Sequence, residues 1–361
     1  MIDNLNALRG LAAWMVAIHH MRTPLSTIWP PIGETMVFAS GVDLFFVLSG
    51  VVMVVSADRR NMTPRVFMLR RIARVAPLYW LATLAVTALL ICGFAPAGVS
   101  EWNGGDLLAS LAFWPDIRAD EYPGPLLPVG WTLTYEAGFY ALFAIALFAG
   151  RAAGLVVFAL LIALALVGAA LPDGAPYFAH VWTAPLMLEF AMGVALGIWW
   201  TASGSGAGGA RRRDLAIAAG AAALAFAAVF ASPPLGPDLI SPGSKGASLR
   251  VVYFGGPATL LIWAALIAER SGAVLSSAWV QRQGAISYAI YLMHLPVLHL
   301  AEKTAGFPGV IAAPVLIAII AGALYDRIER PATHALRNVF ETGVQQRPKS
   351  SSSRMMSSSS R

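Results

Sequence analysis

Apolar stretches of about twenty residues recur along this chain, separated by short segments that hold most of its charge. That alternation restricts the chain to a helical bundle in a lipid bilayer, where backbone polar groups must be satisfied internally. Ten such stretches can be marked, at approximately 7–28, 37–57, 75–95, 131–149, 152–171, 181–200, 215–232, 249–268, 286–305 and 309–325. Residues are 58% hydrophobic and 12% charged, whereas soluble domains carry about a quarter charged residues. The expected fold is therefore all-α, a polytopic integral membrane protein with about ten transmembrane helices. Residues 1–330 form its membrane domain, and residues 331–361 form a largely disordered cytoplasmic tail.

The formal net charge of +6 does not mark a nucleic-acid surface, because the positive residues collect between the apolar spans. Arg59, Arg60, Arg65, Arg70, Arg71 and Arg74 fall in one connection, Arg211, Arg212 and Arg213 in another, and seven further Lys or Arg residues follow Tyr325. Alternate connections hold only Arg118, Lys245, Arg250 and Lys303 as clear basic positions. This asymmetry predicts an even span count with both termini cytoplasmic. Arg9, His19 and His20 interrupt the first span, which argues against a removable signal peptide. The single cysteine, Cys92, excludes a disulfide framework and a cysteine zinc cluster, and the scattered histidines suggest no metal site. The connection 96–130 is acidic and Pro/Gly-rich, with an interfacial helix expected around Leu107–Trp114. The stretches 201–210 and 232–246 read as linker and loop.

Several polar residues sit where lipid contact would be costly. Arg9 and His20 are eleven residues apart, which puts them within roughly 20° of one helical face and about 16 Å apart along the axis. His20 is the candidate general base, and the alternative is a hydrogen-bonded structural histidine. Asp43 and Glu136 enter at a depth counted as close to His20, so either is placed to orient or polarise it. Asp43 as a helix cap and Glu136 as an arginine partner are the plainer readings. Arg70, Arg71 and Arg74 cluster just before Pro77, an arrangement equally suited to phosphate recognition and to a topology signal. Trp131 and Tyr140 flank Glu136 on one stripe. Tyr288 and His294 interrupt the ninth span, where a second proton carrier, a substrate clamp or a kinked packing helix all fit.

These residues lie in five ordered motifs: Leu5-Asn-Ala-Leu-Arg-Gly-Leu-Ala-Ala13 leading to His20; Gly41-Val-Asp-Leu-Phe-Phe-Val-Leu-Ser-Gly50; Phe67-Met-Leu-Arg-Arg-Ile-Ala-Arg-Val-Ala-Pro-Leu-Tyr-Trp80; Gly130-Trp-Thr-Leu-Thr-Tyr-Glu136; and Ser287-Tyr-Ala-Ile-Tyr-Leu-Met-His294. Through them the chain resembles membrane acyltransferase family 3, a bacterial group that transfers acyl groups, usually acetyl, to polysaccharides and other acceptors. The family's arginine and histidine with ten intervening residues fall on Arg9 and His20, its inner arginine motif on Arg71 and Arg74, and its tryptophan-led acidic segment on Trp131 and Glu136. Thr132 and Thr134 stand where serines are common, and Ala137-Gly138 where the family often has Glu-Gln. With Val51-Val-Met53 after Gly50, the first two motifs are most similar to the exopolysaccharide acetyltransferase branch.

The resemblance implies an O-acyltransferase that uses acetyl-CoA or another acyl-CoA, without a metal. Its acceptor would be a carbohydrate hydroxyl, free or lipid-linked. His20 would act as base with Asp43 or Glu136 tuning it, while Arg9, Arg71, Arg74 and neighbouring Arg70 hold the donor. Trp131, Tyr140, Tyr288 and His294 would contact substrate. A polysaccharide precursor transporter or proton-coupled carrier is the rival reading of the same buried polar groups, and an assembly subunit with internally paired charges is a third.

Overall fold

The computed structural model describes residues 2–58, 62–94, 99, 101–117, 124–172, 174–203, 212–230 and 245–335. Arg59, Arg60, Arg118, Asp120, Glu121 and Arg211 lie outside them, as do most of the 201–210 linker, nearly all of the 232–246 loop and the tail from residue 336. Among the described residues the chain is helical, and seven stretches are long and apolar enough to cross a membrane: Val37–Ala57, Pro64–Ile91, Pro128–Ala169, Tyr177–Ala202, Arg213–Phe230, Ala247–Arg270 and Ser287–Ala335.

The principal helices are α1 (Asp3–Leu25), α2 (Gly41–Asp58), α3 (Pro64–Ile91), α4 (Trp131–Ala146), α5 (Ala153–Ala169), α6 (Met187–Ala202), α7 (Arg212–Phe230), α8 (Gly256–Arg270), α9 (Ala278–Ala285) and α10 (Ser287–Leu324). Two of the seven apolar stretches are far longer than one crossing needs, at 42 and 49 residues, and each is broken by a glycine. Gly150 (φ 57°) lies between α4 and α5, and Gly306 (φ 59°) interrupts α10. Left-handed backbone at these points is open to glycine and costly for other residues. The outward faces remain apolar, as Phe148, Leu155, Leu166, Val252 and Ile319 show, which suits contact with lipid rather than water.

Helix α1 is too polar to count among the seven, yet it packs against α2, α9 and α10. Its first turn is held by Glu269, whose carboxylate accepts from the Asp3 and Asn4 N–H groups at 3.0 and 2.9 Å. A carboxylate there satisfies two otherwise orphan donors and complements the helix dipole. Asn4 and Asn6 extend the tether to Ala265, Ala273 and Gln281.

Helix α2 is pressed against α6 almost backbone to backbone. A Cβ on Gly193 would lie 2.0 Å from the Val47 carbonyl oxygen, and one on Gly50 would lie 2.4 Å from that of Phe190. Only glycine permits this approach. The opposite side of α2 carries Val42, Phe45, Phe46, Ser49, Val52 and Met53, a stripe about 16 Å long that faces the cavity described next.

In the 96–130 connection a short helix runs Gly104–Leu111, three residues earlier than expected. A capping box fixes its start: Asn103 Oδ1 accepts from Gly105 and Asp106 N–H, while Asp106 accepts from Asn103 N–H. Trp80 Nε1 donates to the Leu111 carbonyl at 2.8 Å and ties this helix to α3.

Candidate active site

Thr63 caps α3 and Pro64 occupies its first turn, where a missing N–H costs nothing. The helix therefore starts well before Pro77, and Arg70, Arg71 and Arg74 belong to its body rather than to a connection preceding it. Arg71 Nη2 donates to Ser56 Oγ at 3.3 Å, and its guanidinium lies 5.4 Å from the Phe67 ring centre and 5.8 Å from that of Tyr140. Its Nε is buried without a partner.

Glu136 faces these arginines from α4. It accepts from Ser49 Oγ at 2.7 Å and from the Tyr140 hydroxyl one turn away. Arg9 lies within electrostatic reach of Arg74, Glu136 and Glu329, and Glu329 sits on a π-helical turn, Tyr325–Glu329, with one carboxylate oxygen unpaired.

Arg9, Arg71 and Arg74 form a wall common to two cavities. One, of about 100 Å³, runs along the stripe of α2 that starts at Val42 and ends at Met53, and is also lined by Glu136, Tyr140, Tyr288, Tyr291 and Thr132. The other, of about 390 Å³, opens toward Ile2, Leu5, Met62, Arg70 and Thr333. Three cations with only two carboxylates nearby leave this wall able to take an anionic ligand, and Arg71 Nε is a buried donor with no hydrogen-bond partner.

His20 lies beyond the other end of the slot and lines neither cavity. Its Nδ1 is 3.0 Å from the Val16 carbonyl oxygen and 3.2 Å from His294 Nε2. His294 is fully buried and follows Tyr291 by less than a turn. The Tyr291 hydroxyl donates to the Val129 carbonyl at 2.8 Å and meets Thr132 Oγ1 at 2.7 Å. Tyr291 also lines the slot and lies 5.8 Å, ring to ring, from His294. It thus stands between the slot and the histidine pair.

Asp43 does not meet His20. It receives a two-pronged hydrogen bond from Arg250, Nε to Oδ1 at 2.9 Å and Nη2 to Oδ2 at 2.8 Å, while Nη2 also reaches the Ala39 carbonyl. Depth explains the difference. A 3₁₀ turn, Val37–Ser40, precedes α2, and a Cβ on Gly41 would lie 2.5 Å from the Ala12 carbonyl oxygen and 3.0 Å from Val16 Cγ2. Helix α2 therefore begins beside Ala12–Val16, and Asp43 ends up roughly 12 Å along α1 from His20. Glu136 likewise faces Arg9 and Arg71 rather than His20.

The remaining expected site residues separate in the same way. Tyr140 and Tyr288 line the slot, Tyr288 donating to the Val75 carbonyl at 2.7 Å. Trp131 packs on Phe46 and Tyr135, with the Arg250 guanidinium 6.0 Å from its ring centre. Arg250, read from sequence as a basic position of a connection between spans, is buried in the bundle, and Glu189 lies beside its pair with Asp43. Sequence gave no warning of Glu189 or Glu329, although a carboxylate inside an apolar run always needs a partner. Among the described residues no group of three or more His, Cys, Asp or Glu side chains is arranged to hold a metal.

The model of an acyltransferase domain family matches residues 2–325, nearly the whole of the described bundle, and stops just short of Glu329 and of Thr333, which lines the larger cavity. The chain belongs to this acyltransferase family. A relative of this acyltransferase, exopolysaccharide production protein ExoZ of Rhizobium meliloti (strain 1021), is 35% identical over 304 residues, covering 81% of this chain and 89% of that protein. No solved structure matches the chain. In the acyltransferase, then, an arginine wall shared by two cavities stands at one end of the slot, and the histidine pair lies behind Tyr291 at the other.

Proposed function

We propose that this acyltransferase moves an acetyl or other short acyl group from acyl-CoA to a hydroxyl of an envelope or extracellular polysaccharide, or of its lipid-linked precursor. The observation that carries the reading is the shared arginine wall. Arg9, Arg71 and Arg74, with Arg70 in the larger cavity, present cationic donors to a space open on one side and continuous in lining with the apolar slot on the other. A polyanionic carrier with a long uncharged acyl arm has this division of chemistry. The name of the 35% identical relative, which concerns exopolysaccharide production, supports the acceptor class.

His20 is the base in this reading. It takes the acceptor hydroxyl proton as the oxygen bonds to the thioester carbonyl carbon, and returns that proton to sulfur as the carbon–sulfur bond breaks. Arg9, Arg71 and Arg74 hold donor phosphates, Tyr140 and Tyr288 shape the arm's path, and Glu136 keeps Arg9 and Arg71 in place. Trp131 orders the wall at the acceptor end.

The reading also sets the topology. Helix α1, the seven apolar stretches and the breaks at Gly150 and Gly306 together make ten crossings. Residues 1–330 form one membrane unit in a bacterial inner membrane. Both termini are cytoplasmic, which puts the arginine wall on the side where acyl-CoA is made.

The test is acyl transfer by purified protein in lipid discs, with labelled acetyl-CoA and cell-envelope glycans. Label should pass to glycan with the parent, while His20→Ala at equal folded abundance should lose transfer about 10²- to 10⁴-fold. Movement of glycan across vesicles without consumption of acetyl-CoA would overturn the proposal in favour of a carrier.

A further inference from the structure

The contact between His20 and His294 says more than that two histidines are close. A carbonyl oxygen can only accept, so the 3.0 Å contact from His20 Nδ1 to the Val16 carbonyl requires hydrogen on Nδ1. The same reasoning holds for His294, whose Nδ1 is 3.3 Å from the Ile290 carbonyl oxygen. With its hydrogen on Nδ1, neutral His294 presents a lone pair at Nε2, and that atom lies 3.2 Å from His20 Nδ1. One assignment satisfies all three contacts. The His294 N–H goes to Ile290, the His20 N–H is shared between Val16 and His294, and His20 Nε2 is left as a free lone pair.

From this geometry we infer that His294 is a positioning residue for acyl transfer: it holds His20 in the tautomer whose Nε2 is the base and accepts from Nδ1–H when Nε2 carries the proton. The inference rests on His20 being the base. In a Ser-His-Asp triad a carboxylate fills this place. Here the carboxylate expected from sequence to serve, Asp43, is engaged by Arg250, and a neutral imidazole does the task without adding an unpaired negative charge to the apolar layer. Transfer balances without change: the proton gained at Nε2 leaves again to sulfur, and His294 stays neutral throughout.

The charged and titratable groups facing the pair are few. His19 and Arg22 come from α1 and His299 from α10, while Arg250 lies within reach of His19. No described carboxylate forms an ion pair with either histidine.

The experiment uses the full chain in lipid discs, with kcat, donor KM and pH–rate profiles for the parent, His20→Ala, His294→Phe, His294→Gln and His294→Asp. His294→Phe should lower kcat about 10- to 100-fold with donor KM unchanged, since the arginine wall is untouched. His294→Gln, whose amide oxygen can accept from Nδ1–H, should recover part of the loss. A carboxylate stabilises the protonated base, so His294→Asp should move the acidic limb of the profile to higher pH. His294→Phe removes the acceptor and should move it to lower pH. Opposite displacements would not arise from a packing role.

If His294→Phe keeps the parental kcat and acidic limb while His20→Ala is inactive, the positioning role is wrong and the base stands. If His20→Ala retains transfer, both are wrong. Nitrogen NMR of histidine-labelled parent protein needs no variant, and a His20 hydrogen found on Nε2 overturns the inference directly.

Discussion

Two groups of buried charge in this bundle are built to different ends. Around Asp43 the ion pair is closed in on itself: Arg250 is 2% exposed, Asp43 is fully buried, and every hydrogen bond described for Arg250 ends on Asp43 or the Ala39 carbonyl. Glu189 is buried beside the pair with both carboxylate oxygens unpartnered and borders neither cavity. Around Arg9 the charges border empty space, with Arg71 Nε and one oxygen of Glu329 left without partners. A satisfied buried ion pair fixes a helix register, whereas an incomplete set retains affinity for something not supplied by the chain. The contrast teaches that intramembrane charge becomes informative about function only when its pairing is known.

The contrast can be broken most forcefully at Arg250. Arg250→Ala leaves Asp43 and Glu189 buried without a cation and should cost about 3–5 kcal/mol, read as lost folded protein in detergent. Asp43→Leu combined with Arg250→Met and Glu189→Gln should restore most of that stability, because the three charged groups are removed together.

The open group should respond in the opposite sense. Arg71→Ala with Arg74→Ala should leave the thermal midpoint close to the parent and weaken acyl-CoA binding about 100-fold, as expected for losing charge-assisted contacts to phosphate. Unchanged donor affinity would reject the phosphate role.

Glu136→Gln sharpens the comparison with a smaller change. The amide oxygen can still accept from Ser49 and Tyr140, so the fold should persist, while loss of one negative charge beside the arginines should lower donor KM by roughly two- to fivefold. A donor KM unaltered or raised in this variant would count against Glu136 as a counter-charge to the wall.

The smallest effect belongs to a third setting, the exposed pair of Arg282 and Asp326 at 2.5 Å. The hydrogen bonds that Arg282 donates to the Asp326 carboxylate hold the guanidinium pKa above its ordinary value, but water and salt screen such a pair. Asp326→Asn should leave both the midpoint of unfolding and the transfer rate indistinguishable from the parent.

Much of the bundle was legible in the order of residues because each physical signal was local. Apolar length marked the helices, and the Arg9 to His20 spacing gave both their shared face and their separation. The juxtaposition of Arg71 and Arg74 survives even though α3 starts earlier than expected, since Pro64 and Thr63 open a helix that Pro77 does not stop. Depth was less legible. Asp43 was counted from the edge of an apolar run, but the start of α2 is set by where Gly41 can press on Ala12 and Val16. Arg250 followed a Pro/Gly/Ser loop and read as a basic position of a connection between spans, and only the tertiary fold shows that it returns into the bundle to meet Asp43. Glu189 and Glu329 carry no local pattern, because their meaning lies in partners on other helices.

The glycine contact between α2 and α6 has a consequence for redesign. With Gly50 and Gly193 leaving no clearance, α2 cannot retreat to enlarge the slot on its other side. A variant meant to accept bulkier acyl groups would have to gain room by trimming Phe45 or Phe46, whose rings line the passage, rather than by loosening the helix that carries them.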